Sequence, residues 1–302
     1  MEDRNGNVEA EERRKKRQAR TENLKRKWYQ FSRNKMSVVG LVIVVLIILA
    51  AVFQSLIAPY PQHAKEYVDF ANANKAPCAQ FLLGTDAYGR DVLSRIIFSF
   101  RNALMMGLGV LCVAVPVGVI MGLIAGYYKD KIGSTVIMRV VDIFLSLPSL
   151  VLALAVAALL EPNLFHSMMA LTFSWWAWYA RLVYGKASSI RKEYYIQSAE
   201  LIGAGRFHIL FREVLPNCFS TILTKMTLDM GVVILMGASL SFVGLGEQPP
   251  NPALGTMISD GYKTLPENWW LTLFPALAIM LIVLAFNLLG DGISDMMSSG
   301  EG

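Results

Sequence analysis

The sequence predicts an all-α membrane protein built on six transmembrane helices, and three observations carry that expectation. Hydrophobic residues make up 54% of the 302 residues and charged residues 17%, against about 45–50% and about 25% in soluble domains. The apolar excess is gathered into blocks about 20 residues long, the length that crosses a hydrocarbon core of roughly 30 Å. Basic residues are shared unevenly between the segments that separate these blocks.

Residues 1–37 are polar, with 12 Lys or Arg against 6 Asp or Glu. The run Arg13-Arg14-Lys15-Lys16-Arg17 is of the kind that meets acidic lipid or nucleic acid. A cytoplasmic tail that holds the start of the first span inside explains it without nucleic acid. Its length and charge do not suit a cleaved signal peptide.

Spans are expected at about 38–58, 102–126, 140–160, 168–186, 218–242 and 269–290. The first span and an outer loop fill 38–101; the remaining spans form a core, 102–290; a short tail, 291–302, follows. Leu147-Pro148 predicts a kink in the third span, tolerated where neighbouring helices satisfy the freed carbonyl. Trp175, Trp176, Trp178, Trp269 and Trp270 are placed near span ends, as an interfacial belt or, for the first three, as the lining of a path. With residue 1 inside, the inner segments hold 21 Lys or Arg and the outer segments 6. The positive-inside bias therefore places both termini in the cytoplasm.

Charges within the spans are few. Lys225 and Asp229 stand four apart on one helix face and are expected to pair. Asp142, near Arg139, lies too close to the interface to serve as a midplane acid. A proton- or ion-coupled carrier needs such acids, so the sequence points to energy supplied from elsewhere. Three cysteines without metal-type spacing and three histidines predict no metal site and no structural disulfide. No cofactor is expected. No G-x-x-x-x-G-K-[ST] loop occurs, so ATP binding is not expected of this chain. The absence of G-x-S-x-G and H-E-x-x-H removes support for an enzyme.

The segment 188–217 is long for a connection between spans. Residues 188–202 place Ile190, Tyr194, Ala199 and Leu201-Ile202 among charges, as in a short amphipathic helix. Gly203-Ala204-Gly205 predicts a turn. Residues 206–213 resume a helical pattern, and Pro216 predicts a stop before the membrane is re-entered. Such a knob needs a partner groove. Two effects are expected to make Gly203 sensitive: a bulky side chain would clash there, and a positive φ would add strain.

Gln197-Ser198-Ala199, then Gly203, then Leu215-Pro216, resembles the coupling motif of binding-protein-dependent ABC importers. That pattern is Glu-Ala-Ala, three residues, Gly, nine residues, Ile, one residue, Leu-Pro. Here Gln197 replaces Glu, Ser198 replaces Ala, and Glu213 stands at the Ile position. Trp28–Leu41 is similar to the entry of the first span in dipeptide, oligopeptide and nickel permeases. Leu83-Gly84-Thr85-Asp86 followed by Gly89-Arg90-Asp91-Val92-Leu93-Ser94-Arg95 is similar to a signature of that family. Arg139–Asp142 with Pro148, Gly244-Leu245-Gly246 with Pro249, Pro250, Pro252 and Gly255, and Phe286-Asn287 with Gly290, Asp291 and Gly292 extend the resemblance. Read alone, Gly84–Arg95 is also a Gly-bracketed turn in which Asp86 and Asp91 balance Arg90 and Arg95.

The resemblance implies a C-type permease subunit with a type I ABC importer permease fold, similar to dipeptide permease. It implies translocation of di- or oligopeptides, or similar small solutes, across the cytoplasmic membrane of a bacterium or archaeon. The implied partners are a second permease, one or two kinds of cytoplasmic ATPase subunit, an outer substrate-binding protein and the lipid bilayer. It implies ATPase coupling through Gln197, Ser198, Ala199, Gly203, Ala204, Gly205, Leu215 and Pro216. It makes Gly84, Thr85, Asp86, Gly89, Arg90 and Asp91 an external family motif. Two other readings stay open on the residues alone: an ion-coupled secondary transporter, and a membrane scaffold for cytoplasmic proteins.

Overall fold

The computed structural model describes residues 22, 25–26 and 28–298. The basic run 13–17 and residue 302 lie outside them. About these residues the architecture is helical throughout, with a single isolated β-bridge between Thr85 and Asp91.

Helix α1 (Lys35–Val52) opens where the Asn34 side chain accepts from the Met36 N–H, an N-cap that satisfies one orphan donor. Helix α2 (Val92–Tyr127) is 36 residues long. It begins ten residues before the expected start at 102. The apolar block does begin near 102, but Asp91 caps the helix earlier, its side chain accepting from the Ser94 N–H. Helices α3 (Ile132–Ser146) and α4 (Ser149–Ala157) are the two halves of the expected third span. They meet at Leu147-Pro148 with a bend of 86°, far sharper than a kink. Proline has no N–H to give, and the preceding residue is pushed to extended backbone; Leu147 sits at φ −96°, ψ 138°.

Helix α5 (Leu164–Ile190) runs past both ends of the expected fourth span. The residues Trp175, Trp176 and Trp178 fall in its middle, not near its ends, so the belt reading fails for them. Helix α6 (Tyr194–Leu201) follows, and α7 (Leu215–Phe242) is reached through Arg206–His208 and a π-helical stretch, Ile209–Val214. Helices α8 (Leu254–Tyr262) and α9 (Trp270–Ser298) complete the chain. By length and composition, four helical stretches among the described residues can cross a membrane: α1, α2, Arg206–Phe242 and α9. The α3–α4 pair, taken as one broken span, makes a fifth. Helix α5, 27 residues long, falls outside that group, because Arg181, Lys186 and its polar aromatics dilute its apolar content.

The most extensive helix packing among the described residues is α2 against α5. It rests on small residues. Gly118, Gly122 and Gly126, four apart along α2, each face the α5 backbone or a short α5 side chain. A Cβ at Gly122 would lie 2.5 Å from the Ala180 carbonyl oxygen, and one at Gly118 2.4 Å from that of Trp176. Where lipid is the solvent, such close backbone approach is a main source of helix association. Helix α9 packs on α7 and α1, and α7 fills the space between α2, α5 and α9.

Candidate functional site

Helix α2 ties two groups of residues to opposite ends of the bundle. At its C-terminal end stands the knob formed by 188–217. Ile196 is fully buried, and Ala199 and Ala204 pack on the same core as Ile209, Leu210 and Val214. The Tyr127 hydroxyl donates to Glu200 Oε1 at 2.5 Å, fastening α6 to the end of α2. Arg191 pairs with Asp130 at 2.9 Å, and the Arg206 guanidinium lies over the Tyr128 ring at 5.9 Å.

The turn after α6 explains the position of its glycine. Gly203 has φ +83°. Its N–H donates to the Glu200 carbonyl at 3.1 Å, and the Ala204 N–H donates to that of Ala199 at 3.0 Å. These are the two bonds of a Schellman C-cap, with glycine where the backbone turns left-handed. The strain argument at Gly203 therefore holds. A clash with the chain's own facing helix does not arise, because a Cβ there meets nothing within 4 Å. Gly205 is open in the same way.

Pro216 does not stop the helix. Arg206–Phe242 runs on as one helical rod of 37 residues. Pro216 occupies the first turn of α7, where its missing N–H matters least, and the π turn before it widens to admit the ring. The Asn217 side chain then donates to the Glu213 carbonyl at 2.6 Å, and also to the Tyr195 hydroxyl at 3.1 Å. Of the remaining motif residues, Gln197 bonds the Lys192 carbonyl and Ser198 that of Tyr194, both on the exposed side. Leu215 packs on the core. The outer face of the knob carries Tyr194, Leu201, Ile202 and Phe207; Leu201 is 87% exposed and Ile202 85%.

At the opposite end, the segment 59–91 folds over the start of α2. Gly84 and Gly89 have φ +78° and +75°, and they bracket a turn organised by Asp86. Its Oδ1 accepts from the N–H groups of Tyr88 and Arg90, and Oδ2 takes the Arg90 Nε at 2.7 Å. Thr85 Oγ1 donates to the Asn72 carbonyl and accepts from the Lys75 N–H. The expected balance of Asp86 with Arg90 is present. Asp86 lies near Arg95 as well, 3.7 Å from its Nε, while Asp91 caps α2, accepting from the Ser94 N–H and hydroxyl at 2.8 and 2.6 Å.

Trp270 and His63, outside the expected motif, and Arg95, the last residue of the signature, complete this end. Trp270 Nε1 donates to the Thr85 carbonyl at 3.2 Å. Arg95, 5% exposed, reaches the carbonyls of His63 and Pro250. His63 stacks on Tyr67 with ring centroids 4.0 Å apart, and its Nδ1 accepts from the Asp91 N–H at 2.9 Å. Burial lowers the His63 pKa below 6.5, against the opposing pull of Asp91, Asp86 and Asp69. The bond from the Asp91 N–H requires Nδ1 to be unprotonated. Sequence spacing gives no sign of this, since His63 lies 28 residues from Asp91.

Within the bundle, Lys225 and Asp229 pair as expected. The other Asp229 oxygen accepts from Trp175 Nε1 at 3.1 Å, which accounts for a tryptophan at mid-helix. Asp142 pairs with Arg181 across to α5, rather than only with its neighbour Arg139.

Residues 114–300 match the family described as binding-protein-dependent transport system inner membrane component. Residues 23–77 match the N-terminal TM domain of oligopeptide transport permease C. The chain belongs to this family of permeases. It is a transport subunit, not an enzyme. The permease is 41% identical over 277 residues to the dipeptide transport system permease protein DppC of Escherichia coli strain K12, covering 89% of this chain and 91% of the relative. It is 38% identical over 278 residues to the di/tripeptide transport system permease protein DppC of Pseudomonas aeruginosa, covering 91% of each. It is 36% identical over 270 residues to the glutathione transport system permease protein GsiD of Pectobacterium atrosepticum, covering 89% of each. The permease is therefore a multi-pass membrane subunit with the helical fold of its family.

Proposed function

We propose that the permease forms half of the translocation path of an ATP-driven importer of short peptides. A second, related permease supplies the other half. Cytoplasmic ATPase subunits supply the energy, and an outer binding protein delivers the solute. Six spans cross the cytoplasmic membrane: α1, α2, the broken α3–α4 pair, α5, Arg206–Phe242 and α9. Both termini and the 188–217 knob are cytoplasmic, and 59–101 is external, in keeping with the basic asymmetry of the segments.

The observation that carries this reading is the knob itself. Exposed apolar side chains on a rigid, C-capped helix mark a protein contact. Here they sit on a unit anchored to the core by Ile196 and joined without a break to a spanning helix. That is the geometry of a part that docks in a groove and passes motion inward. Short peptides are favoured as cargo because the named relatives include dipeptide and di/tripeptide permeases.

The test is to purify the permease with its partner permease and ATPases, and to compare Ile202→Asp with the parent chain. Ile202 is exposed, so the permease should keep its thermal stability. ATPase retention should fall at least tenfold, and ATP-dependent dipeptide uptake with it. Full retention with normal uptake would place the ATPase contact elsewhere. Uptake driven by a pH gradient without ATP would favour an ion-coupled carrier.

A further inference from the structure

The segment 59–91, the start of α2 and the stretch 249–264 enclose a cavity of about 650 Å³. This lies within the range of small-ligand sites, about 300–1,000 Å³. Its lining is largely apolar, with Val68, Tyr88, Pro250 and Met257 among the walls. Six charged residues line it: Glu66, Asp86, Arg90, Arg95, Asp260 and Lys263. Arg95 is almost wholly buried. Asp260 is well exposed at its mouth beside Lys263, 3.1 Å away.

Arg95 is the unusual member. A guanidinium carries five N–H donors in a fixed fork, and a buried charge is costly unless it is paired and hydrogen-bonded. Among the described residues its hydrogen bonds are two long ones, both from Nη1, at 3.3 and 3.4 Å to carbonyl oxygens. Its nearest carboxylate, Asp86, lies 3.7 Å from Nε, and the same oxygen already takes the Arg90 Nε at 2.7 Å. The fork is thus under-used on the side of a cavity large enough for a solute. A carboxylate entering there would meet the bidentate geometry that arginine favours.

We propose that this cavity receives a small zwitterionic solute, a free short peptide, with its carboxylate on Arg95 and its ammonium towards the acids at the mouth. The apolar walls then contact side chains without selecting among them. The proposal rests on the reading of the chain as a peptide permease and adds to it a staging site at the outer end.

The test uses the assembled transporter in lipid nanodiscs, with Cys78 and Cys112 replaced by serine and Met257→Cys as a reporter in the cavity wall. Labelling by a small methanethiosulfonate is timed with and without millimolar alanyl-alanine. The dipeptide should slow labelling at least fivefold, and its C-terminal amide should not. Arg95→Gln should abolish the protection. Should Arg95→Gln fail to assemble, Asp260→Asn decides: protection by alanyl-alanine should weaken, while the smaller protection by N-acetyl-alanyl-alanine stays unchanged. Equal protection by the amide or by inorganic phosphate would overturn the proposal, as would no protection by the dipeptide. Protection by the ligand-free binding protein alone, with none from the dipeptide, would make the cavity a protein-docking surface and also overturn it. ATP-dependent dipeptide uptake is measured on the same preparation. Uptake without protection removes the staging site only, whereas loss of uptake in the reporter chain's parent removes the importer reading itself.

Discussion

Lys225 Nζ lies 2.6 Å from Asp229 Oδ1, one helical turn away on α7, and the aspartate is 3% exposed against 33% for the lysine. A buried pair is sensitive to the loss of one partner, because the other is left charged and unmatched, at a cost of about 3–5 kcal/mol. Asp229→Asn should therefore lower the thermal stability of the detergent-solubilised permease. The double variant Lys225→Met, Asp229→Leu should recover much of the loss. Thermal unfolding followed by fluorescence size exclusion reads both. A double variant as unstable as Asp229→Asn would mean that the pair does more than neutralise itself.

Gly203→Val tests the C-cap. The site is open, so the penalty is backbone strain alone, about 1–3 kcal/mol for a β-branched residue held at positive φ. Gly203→Asn, which tolerates that region, should be nearly silent. The expected outcome for valine is normal membrane insertion with reduced ATPase retention on purification. Equal retention for valine and asparagine would show that the turn angle does not govern docking.

The glycine seam between α2 and α5 leaves no room for a larger side chain. Gly122→Leu should separate the two helices and abolish assembly with the second permease, measured by co-purification. Gly133→Leu, at a position where a Cβ meets nothing within 4 Å, serves as the control and should assemble normally.

His63 gives the segment 59–91 a pH dependence of definite sign. Its folded pKa lies below 6.5, so the unfolded segment binds the proton more readily than the folded one. The stability that neutral His63 contributes is complete above about 6.5 and falls as pH drops from there towards the folded pKa. Protonation also removes the acceptor for the Asp91 N–H. Hydrogen exchange across 85–95 should quicken at pH 5 relative to pH 7.5, after correction for intrinsic rates. In His63→Gln the two corrected profiles should coincide.

The helices were legible because apolar blocks of membrane length leave few alternatives. Their ends were less so, and for a local reason. Hydropathy marks where lipid begins, whereas a helix ends where its caps are, and Asp91 caps α2 eleven residues before the expected start at 102. Pro216 misled for a related reason. A proline reads as a stop, yet in the first turn of a helix its missing N–H costs little, and the π turn absorbs the ring. The knob's glycine was legible from its fixed place in the motif, although only the φ of Gly203 separates strain from collision. The contacts of His63 and Trp270 joined segments far apart in the chain, so no local pattern announced them; Arg95 was legible as the last residue of the signature, but its reach to His63 and Pro250 was not. The Gly118-Gly122-Gly126 spacing is a signal that was present in the sequence and that periodicity in apolar residues alone passes over.

The unbroken run from Arg206 to Phe242 also has a mechanical reading. At about 1.5 Å per residue it is a beam of roughly 55 Å. Tilting such a beam by about 5° around its midpoint carries each tip sideways by roughly 2.4 Å. The π turn and Pro216 lie together at the end nearest the knob. Held between α2, α5 and α9, such a lever would convert a small displacement of Phe207 and its neighbours into one at the Phe242 tip.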